Sequence, residues 1–190
     1  MKFLASAFLA GLVGLATGAP VEKRWPSGSI LAPQGGYIYH QSAKHPPPDF
    51  IPKIQGLIDW ETSTSEVHIF NLPADWIGKK VEVHFWYSEP NKGGVPVDIF
   101  SSSKLPPSDG IGSNNRDKHL GRFYVPSNGG DGTTKSGDGP TDWKSYQLPA
   151  GVESVAFEAV GVSYWDGSKV TGTDLVYELA TSGVYLKRVN

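Results

Sequence analysis

Cysteine is absent from all 190 residues, which excludes a disulfide framework, a thiolate metal centre and a cysteine nucleophile. Charge of one sign is also missing. Seventeen Lys and Arg stand against nineteen Asp and Glu, a formal net charge of −2, so the chain lacks the basic footprint that nucleic acid or an anionic lipid surface requires. No Gly-X-Ser-X-Gly elbow, His-Glu-X-X-His pair or phosphate loop occurs, leaving no recognisable hydrolase, zinc-protease or nucleotide signature. There is no Asn-X-Ser/Thr sequon, so no N-glycan is expected. Between Trp25 and Asn190 no apolar stripe recurs at helical spacing over a helical length, which points away from helix.

What is present begins with a positively charged start at Lys2, an apolar run from Phe3 to Leu15 and the small residues Thr17, Gly18 and Ala19. That is the layout of a secretory signal peptide, 1–19, and the run is too short to span a bilayer as a helix. Lys23-Arg24 reads as a dibasic trimming site, making 20–24 a short propeptide and 25–190 a single mature domain of 166 residues. Trimming there would take the net charge to −4. A domain of this length buries about 70% of its unfolded surface, enough to do without cross-links. No hydrophobic tail follows Tyr185, so no lipid-anchor signal is expected.

The strongest pattern lies in Phe70 to Tyr87, FNLPADWIGKKVEVHFWY. Val81, Val83, Phe85 and Tyr87 alternate with Lys80, Glu82, His84 and Trp86, the period of two that marks a strand with one packed face. Pro73 to Gly78 reads as a compact turn with Gly78 at positive φ. Gly56–Trp60 and Ser65–Leu72 read as a hairpin around the polar cluster Glu61 to Thr64. The triple proline Pro46 to Pro48 marks 44–52 as a surface connector. Further strands are predicted at Val95–Phe100, His119–Val125, Trp143–Leu148, Ser154–Val162, Asp174–Ala180 and Val184–Val189. The Gly-rich stretch Ser127 to Asp142 reads as a mobile loop. About ten short strands with turns between them predict an all-β, antiparallel two-sheet β-sandwich with little or no helix after the signal peptide.

FNLPADWIGKKVEVHF, VDIFSS, NNRDKHLGRFYVP, SYQLPAG and YELATSGVYLKRV resemble, in this order, the small secreted fungal proteins of the "But" family, the ubiquitin-type binding protein C-terminal domain. The resemblance spans Tyr37 to Val189. It implies the sandwich fold and a fungal extracellular setting, and it brings no catalytic residues. The ubiquitin-like partner in the family name is intracellular, which the signal peptide opposes. The family reads Gly-Lys-Thr-Cys where this chain has Gly78-Lys79-Lys80-Val81, and Cys-Pro where it has Leu148-Pro149. A disulfide between those cysteines in relatives would imply that Val81 and Leu148 meet in the core. Losing such a bridge costs roughly 2–5 kcal/mol, and burying two aliphatic side chains returns roughly 1.5–3 kcal/mol each. The resemblance also makes the segment around Arg116 and Asp117 a fold feature, with those two as the expected ion pair.

Four groups of residues could carry chemistry. His68 and His84 share a phase on two strands read as neighbours, each beside a glutamate, Glu66 and Glu82; exposed together they could hold zinc or copper, against an ordinary polar face. The 128–139 loop offers Asp131 and Asp138 but lacks the dense aspartate spacing of a calcium loop. Asp98, Asp117, Glu158 and Asp166 are the carboxylates a glycosidase could pair, about 5–9.5 Å apart across a cleft, though no spacing singles out two of them. The aromatics are the compositional excess, with six tryptophans. Trp60 and Trp143 are expected in the core. Trp86 points away from Val83 and Phe85, and Trp165, with Tyr164, sits at a turn; these three are the predicted ligand-binding rings, since exposed rings stack on sugars. The expectation is a non-catalytic secreted binding protein without a cofactor. Its partner would be a cell-wall or host glycan or an extracellular protein, with no nucleic acid and no membrane anchor. A wall-polysaccharide enzyme is the alternative.

Overall fold

A computed structural model describes residues 25–40, 55–59, 64–90, 93–105, 115–165 and 169–189. Of the described residues, 56% are strand and 3% helix, so the all-β class is observed. The strands are β1 Ile30–Leu31, β2 Gly35–His40, β3 Gln55–Asp59, β4 Thr64–Asn71, β5 Lys80–Tyr87, β6 Val95–Ser102 and β7 Arg116–Val125. They continue as β8 Gly130–Asp131, β9 Tyr146–Gln147, β10 Ser154–Gly161, β11 Ser163–Trp165, β12 Val170–Gly172, β13 Asp174–Glu178 and β14 Gly183–Arg188. One 3-10 turn spans Asp142–Ser145. A five-stranded sheet runs β1-β14-β5-β8 with β9 also on β5; a seven-stranded sheet runs β13-β3-β4-β10-β6-β7 with β2 also on β4. Hairpin β11–β12 stands apart as a two-stranded sheet. Trp60, the connector 44–52 and Asp166 lie outside the described residues.

β5 is the organising strand of the smaller sheet. Its Val81, Val83 and Phe85 are fully buried and Tyr87 is 5% exposed. Opposite them, β4, β10, β6 and β7 supply Phe70, Phe157, Ile99 and Phe123, all fully buried in the same cluster. Phe70 and Phe157 meet edge-on at 5.6 Å, a favoured aromatic geometry. The turn before β5 closes through Trp76 N–H to Pro73 O and Lys79 N–H to Trp76 O. Gly78 takes φ 68°, the left-handed conformation a glycine enters at least cost. β9 pairs Gln147 with Lys80 and Tyr146 with Val81, and the Leu148 N–H reaches Lys79 O at 2.9 Å. This register sets Val81 and Leu148 diagonally on one face, both fully buried in the same core.

Several expectations are corrected. The β3–β4 hairpin reduces to one residue pair, Asp59 with Thr64. β4 instead pairs along its length with β10 and β2, because its core-facing Phe70 and His68 register against Val155 and Phe157. Trp143 to Ser145 is the 3-10 turn rather than strand, and Trp143 only partly buries against the core. Arg116 and Asp117 are strand residues that do not pair. Successive residues on a strand point to opposite sides, and Arg116 donates to Glu158 at 2.8 Å while Asp117 accepts from Ser101 at 3.4 Å.

The Gly-rich stretch is tied down rather than free. Gly132 N–H bonds Phe85 O on β5, and Thr133 exchanges both backbone bonds with Tyr124 on β7. The segment therefore stitches one sheet to the other and covers an open edge, a common way of avoiding exposed edge strands. A Cβ at Gly132 would lie 3.1 Å from both Phe123 Cβ and Phe85 O, close enough that these neighbours would have to give by a few tenths of an ångström. Asp131 and Asp138 are committed to protein partners, Tyr185 and Tyr124.

Candidate ligand-binding face

The outer face of the five-stranded sheet is built by the polar phase of β5. Register sets Glu82 opposite Lys187, His84 opposite Tyr185 and Trp86 opposite Gly183 on β14. On the other flank Trp86 pairs with Asp131 of β8. Trp25 and Trp143 arrive from outside the sheet. The rings then form a row: Trp25 meets Tyr185 at 6.3 Å, Tyr185 stacks on His84 at 5.0 Å and 14°, and His84 meets Trp143 edge-on at 5.3 Å. Trp143 continues to Phe123 at 5.4 Å. It can lie so close because position 121 is glycine, where a Cβ would stand 2.6 Å from Trp143 Cδ1.

Polar groups knit the row. Nε2 of His84 is 3.0 Å from Glu82 and Nδ1 is 3.5 Å from Asp131. The Tyr185 hydroxyl donates to Asp131 at 2.9 Å, and Lys187 to Glu82 at 3.0 Å. Burial opposes a charge on His84, but hydrogen bonds and charge from Asp131 and Glu82 outweigh it and raise its pKa above 6.5. Glu82 is also penalised by burial, yet His84 and Lys187 bring its pKa below the usual value. Burial, with Asp131 behind it, pushes the Tyr185 phenol far up. The Asp131 and Lys187 side chains are 44% and 53% exposed, and those of His84 and Glu82 are 12% and 30% exposed. Trp86 is partly buried, and its Nε1 is a buried donor without a partner among the described residues.

The remaining predicted site residues fall elsewhere. His68 does not join His84. It sits on β4 of the other sheet, fully buried, because β4 turns Phe70, His68 and Glu66 inward; the shared phase gave the face of each strand but not its sheet. No group of three or more His, Cys, Asp or Glu side chains suited to a metal occurs among the described residues. Tyr164 and Trp165 lie on β11, opposite Thr171 and Val170, in the two-stranded hairpin and not in the sheet that carries Trp86.

Of the four carboxylates, Asp98 and Glu158 lie two residues apart across β6 and β10, on one face. Arg122 holds Asp98 through two bonds of 2.7 and 2.9 Å, and Arg116 and Ser65 hold Glu158 at 2.8 and 2.5 Å. Each is locked to a guanidinium instead of facing the other across a cleft. A pocket of about 250 Å³ at one end of the sandwich, floored by Tyr146 and rimmed by Leu105 and Val152, has no carboxylate in its lining. No helix among the described residues is long and apolar enough to cross a membrane.

No protein-family model, curated protein or solved structure matches this chain. Sequence reasoning found Trp86 from its phase but missed Tyr185, Asp131 and the outward part of Trp143. Only register brings these together, and the one sequence signal for any of them was Tyr185 falling within an alternating strand.

Proposed function

We propose that this chain is a secreted, non-catalytic binding protein of the extracellular or cell-wall space, and that its ligand is a carbohydrate taken on the outer face of the five-stranded sheet. The observation that carries this reading is the row of rings from Trp25 to Trp143, its two end tryptophans partly open over a buried Tyr185, with the partly open Trp86 beside it and the exposed Asp131 and Lys187 at its margins. Partly exposed tryptophan rings offer apolar faces to pyranose rings, and neighbouring carboxylates and amines accept and donate to sugar hydroxyls. The predicted leader and dibasic site, and the resemblance to secreted fungal "But" proteins, support the address. The locking of Asp98 and Glu158 to arginines weighs for binding over hydrolysis.

The test is a glycan array and an insoluble-polysaccharide pull-down with the chain from Trp25, beside Trp86→Ala and Trp165→Ala. Binding lost in Trp86→Ala with an unchanged circular-dichroism spectrum supports the sheet face. Loss only in Trp165→Ala moves the site to the β11–β12 hairpin. No binding to any glycan puts an extracellular protein partner first.

A further inference from the structure

The seven-stranded sheet parts at one end. β6 and β10 pair from Val97 with Gly161 to Ser101 with Phe157 and no further, although β6 runs on to Ser102 and β10 begins at Ser154. The cause lies in β7. It takes two residues for one between Ile99 and Phe100, which meet Gly121 and His119, and three for two between Phe100 and Ser102, which meets Arg116. Extra residues bend a strand and raise its local twist. The end of β6 follows β7 through the bend, where the Ser103 N–H continues to Asn115 O at 2.8 Å. The start of β10 stays with β4 instead: Ser154 faces Asn71 in register and its hydroxyl donates to Asn71 Oδ1 at 2.9 Å. Between Ser154 and Ala156 the flank of β10 turned toward β6 therefore carries no strand among the described residues.

The wedge so opened is the pocket of about 250 Å³, with residues 102–105 on one wall, 154–156 on the other and Tyr146 at its floor. Tyr146 is held there edge-on against Phe157 at 5.3 Å. The hydroxyls of the lining are already committed to the protein: Ser102 donates to Lys104 O at 2.7 Å, Ser103 to Asn115 O at 3.1 Å and Ser154 to Asn71. Leu105 and Val152, 41% and 36% exposed, are two of the four large hydrophobic residues exposed among the described residues, and both stand on the rim. What the lining offers a ligand is apolar surface and a single charged side chain, the exposed Lys104. Glu153, between Val152 and Ser154 in sequence, is not part of it.

We propose that this wedge binds a small organic acid, one carboxylate carried on a ring or a branched apolar body. The body lies against Tyr146, Val155 and Ala156, and the carboxylate takes the Lys104 ammonium at the mouth, a charge-assisted hydrogen bond. An apolar cavity of about 150 Å³ holds benzene, so about 250 Å³ takes a ring with a chain of a few atoms. The sign of the charge follows from a lining with one cation and no carboxylate. The apolar walls argue against a sugar here, since they would leave its hydroxyls unpaired. The site lies apart from the proposed ligand face and stands or falls separately from it.

The probe is 3-phenylpropanoate, with 3-phenylpropanamide as its neutral counterpart, each titrated into the purified protein while backbone amide signals are followed by NMR. A Kd for the acid at or below about 1 mM, with shifts centred on 102–105 and 154–156, supports the site. Lys104→Met keeps the stem and removes the charge; it should weaken the acid about five- to tenfold and leave the amide as it was. Val152→Phe fills the mouth from a position 36% exposed, where the core is not disturbed, and should abolish binding of both compounds. Trp86→Ala should bind the acid like wild type. No shift at 102–105 or 154–156 with about 10 mM acid, ten times that Kd, overturns the proposal. Acid and amide binding equally well to wild type and to Lys104→Met overturns the assignment of a carboxylate, and loss of the acid in Trp86→Ala overturns its place in the wedge.

Discussion

Replacing Leu148 by alanine tests how the short strand β9 closes the core against β5. Leu148 is fully buried and contributes to the cluster that holds Val81, Val83 and Phe85. Its backbone is pinned by the bond to Lys79 O, and the Gln147 side chain adds a second tie to Gly78 O at 2.7 Å. The site therefore cannot collapse freely into the space left behind. Leu→Ala at buried positions costs about 2–5 kcal/mol, more where relaxation is restricted, and about 3 kcal/mol is expected here. For a domain of this size that lowers the melting temperature by about 6–12 °C. Val81→Ala should cost less, about 2 kcal/mol, because fewer carbons leave. Since the two residues lie diagonally on one face, the double variant should depart from additivity by at least about 0.5 kcal/mol. Urea unfolding at constant m reads all three. A loss below about 1 kcal/mol for Leu148→Ala, or strict additivity of the pair, would refute the placement of β9 and the meeting of these side chains.

Three further outcomes follow from particular contacts. Gly28 and Gly183 share a left-handed φ of 123° and 122°, yet a Cβ meets nothing within 4 Å at Gly28 and His68 Nε2 at 2.4 Å at Gly183. Gly28→Ala should then cost only the backbone strain, about 1–2 kcal/mol, and Gly183→Ala clearly more by the same urea assay; equal costs would contradict the close approach. Because the folded pKa of His84 is raised above 6.5, the stability it contributes is fully present below that value and is lost as pH rises through the folded pKa. Wild type should exceed His84→Gln in unfolding midpoint at mildly acidic pH and converge with it in alkali; a gap that widens with pH would reverse the sign. Arg122→Met leaves Asp98, 8% exposed, without its bidentate partner and should cost about 2 kcal/mol, read by thermal unfolding, whereas a neutral effect would mean that solvent and His119, whose Nε2 lies 3.5 Å from Asp98, suffice.

Much of the fold was legible from period alone. β5 announces itself because valine and phenylalanine alternate with lysine, glutamate and histidine over eight residues, and Gly78 because a compact turn before a strand favours a positive φ. Period two reveals which side of its own strand a residue occupies and nothing of which sheet that strand joins. His68 and His84 therefore looked like partners until pairing put β4 with β10 and β5 with β14. Nearness in sequence misled twice, at the β3–β4 hairpin and at Arg116 with Asp117, since chain neighbours compete with distant strands whose apolar residues fit better. The 127–142 segment had no apolar pattern to read, because it is held by backbone bonds to Phe85 and Tyr124, which carry almost no side-chain signature. In the ligand face, Trp86 could be found from its phase, whereas Asp131 and Tyr185 reach His84 only through registers set between segments some 45 and 100 residues away.

The central claim is that the five-stranded sheet presents a carbohydrate-binding row of rings, and titration calorimetry with the best array ligand tests it most directly. Wild type, Trp86→Ala and Trp165→Ala would be titrated side by side after confirming native circular dichroism. The account predicts that Trp86→Ala weakens binding by about 2 kcal/mol, roughly thirtyfold in Kd, while Trp165→Ala binds like wild type. Undiminished affinity in Trp86→Ala would contradict it.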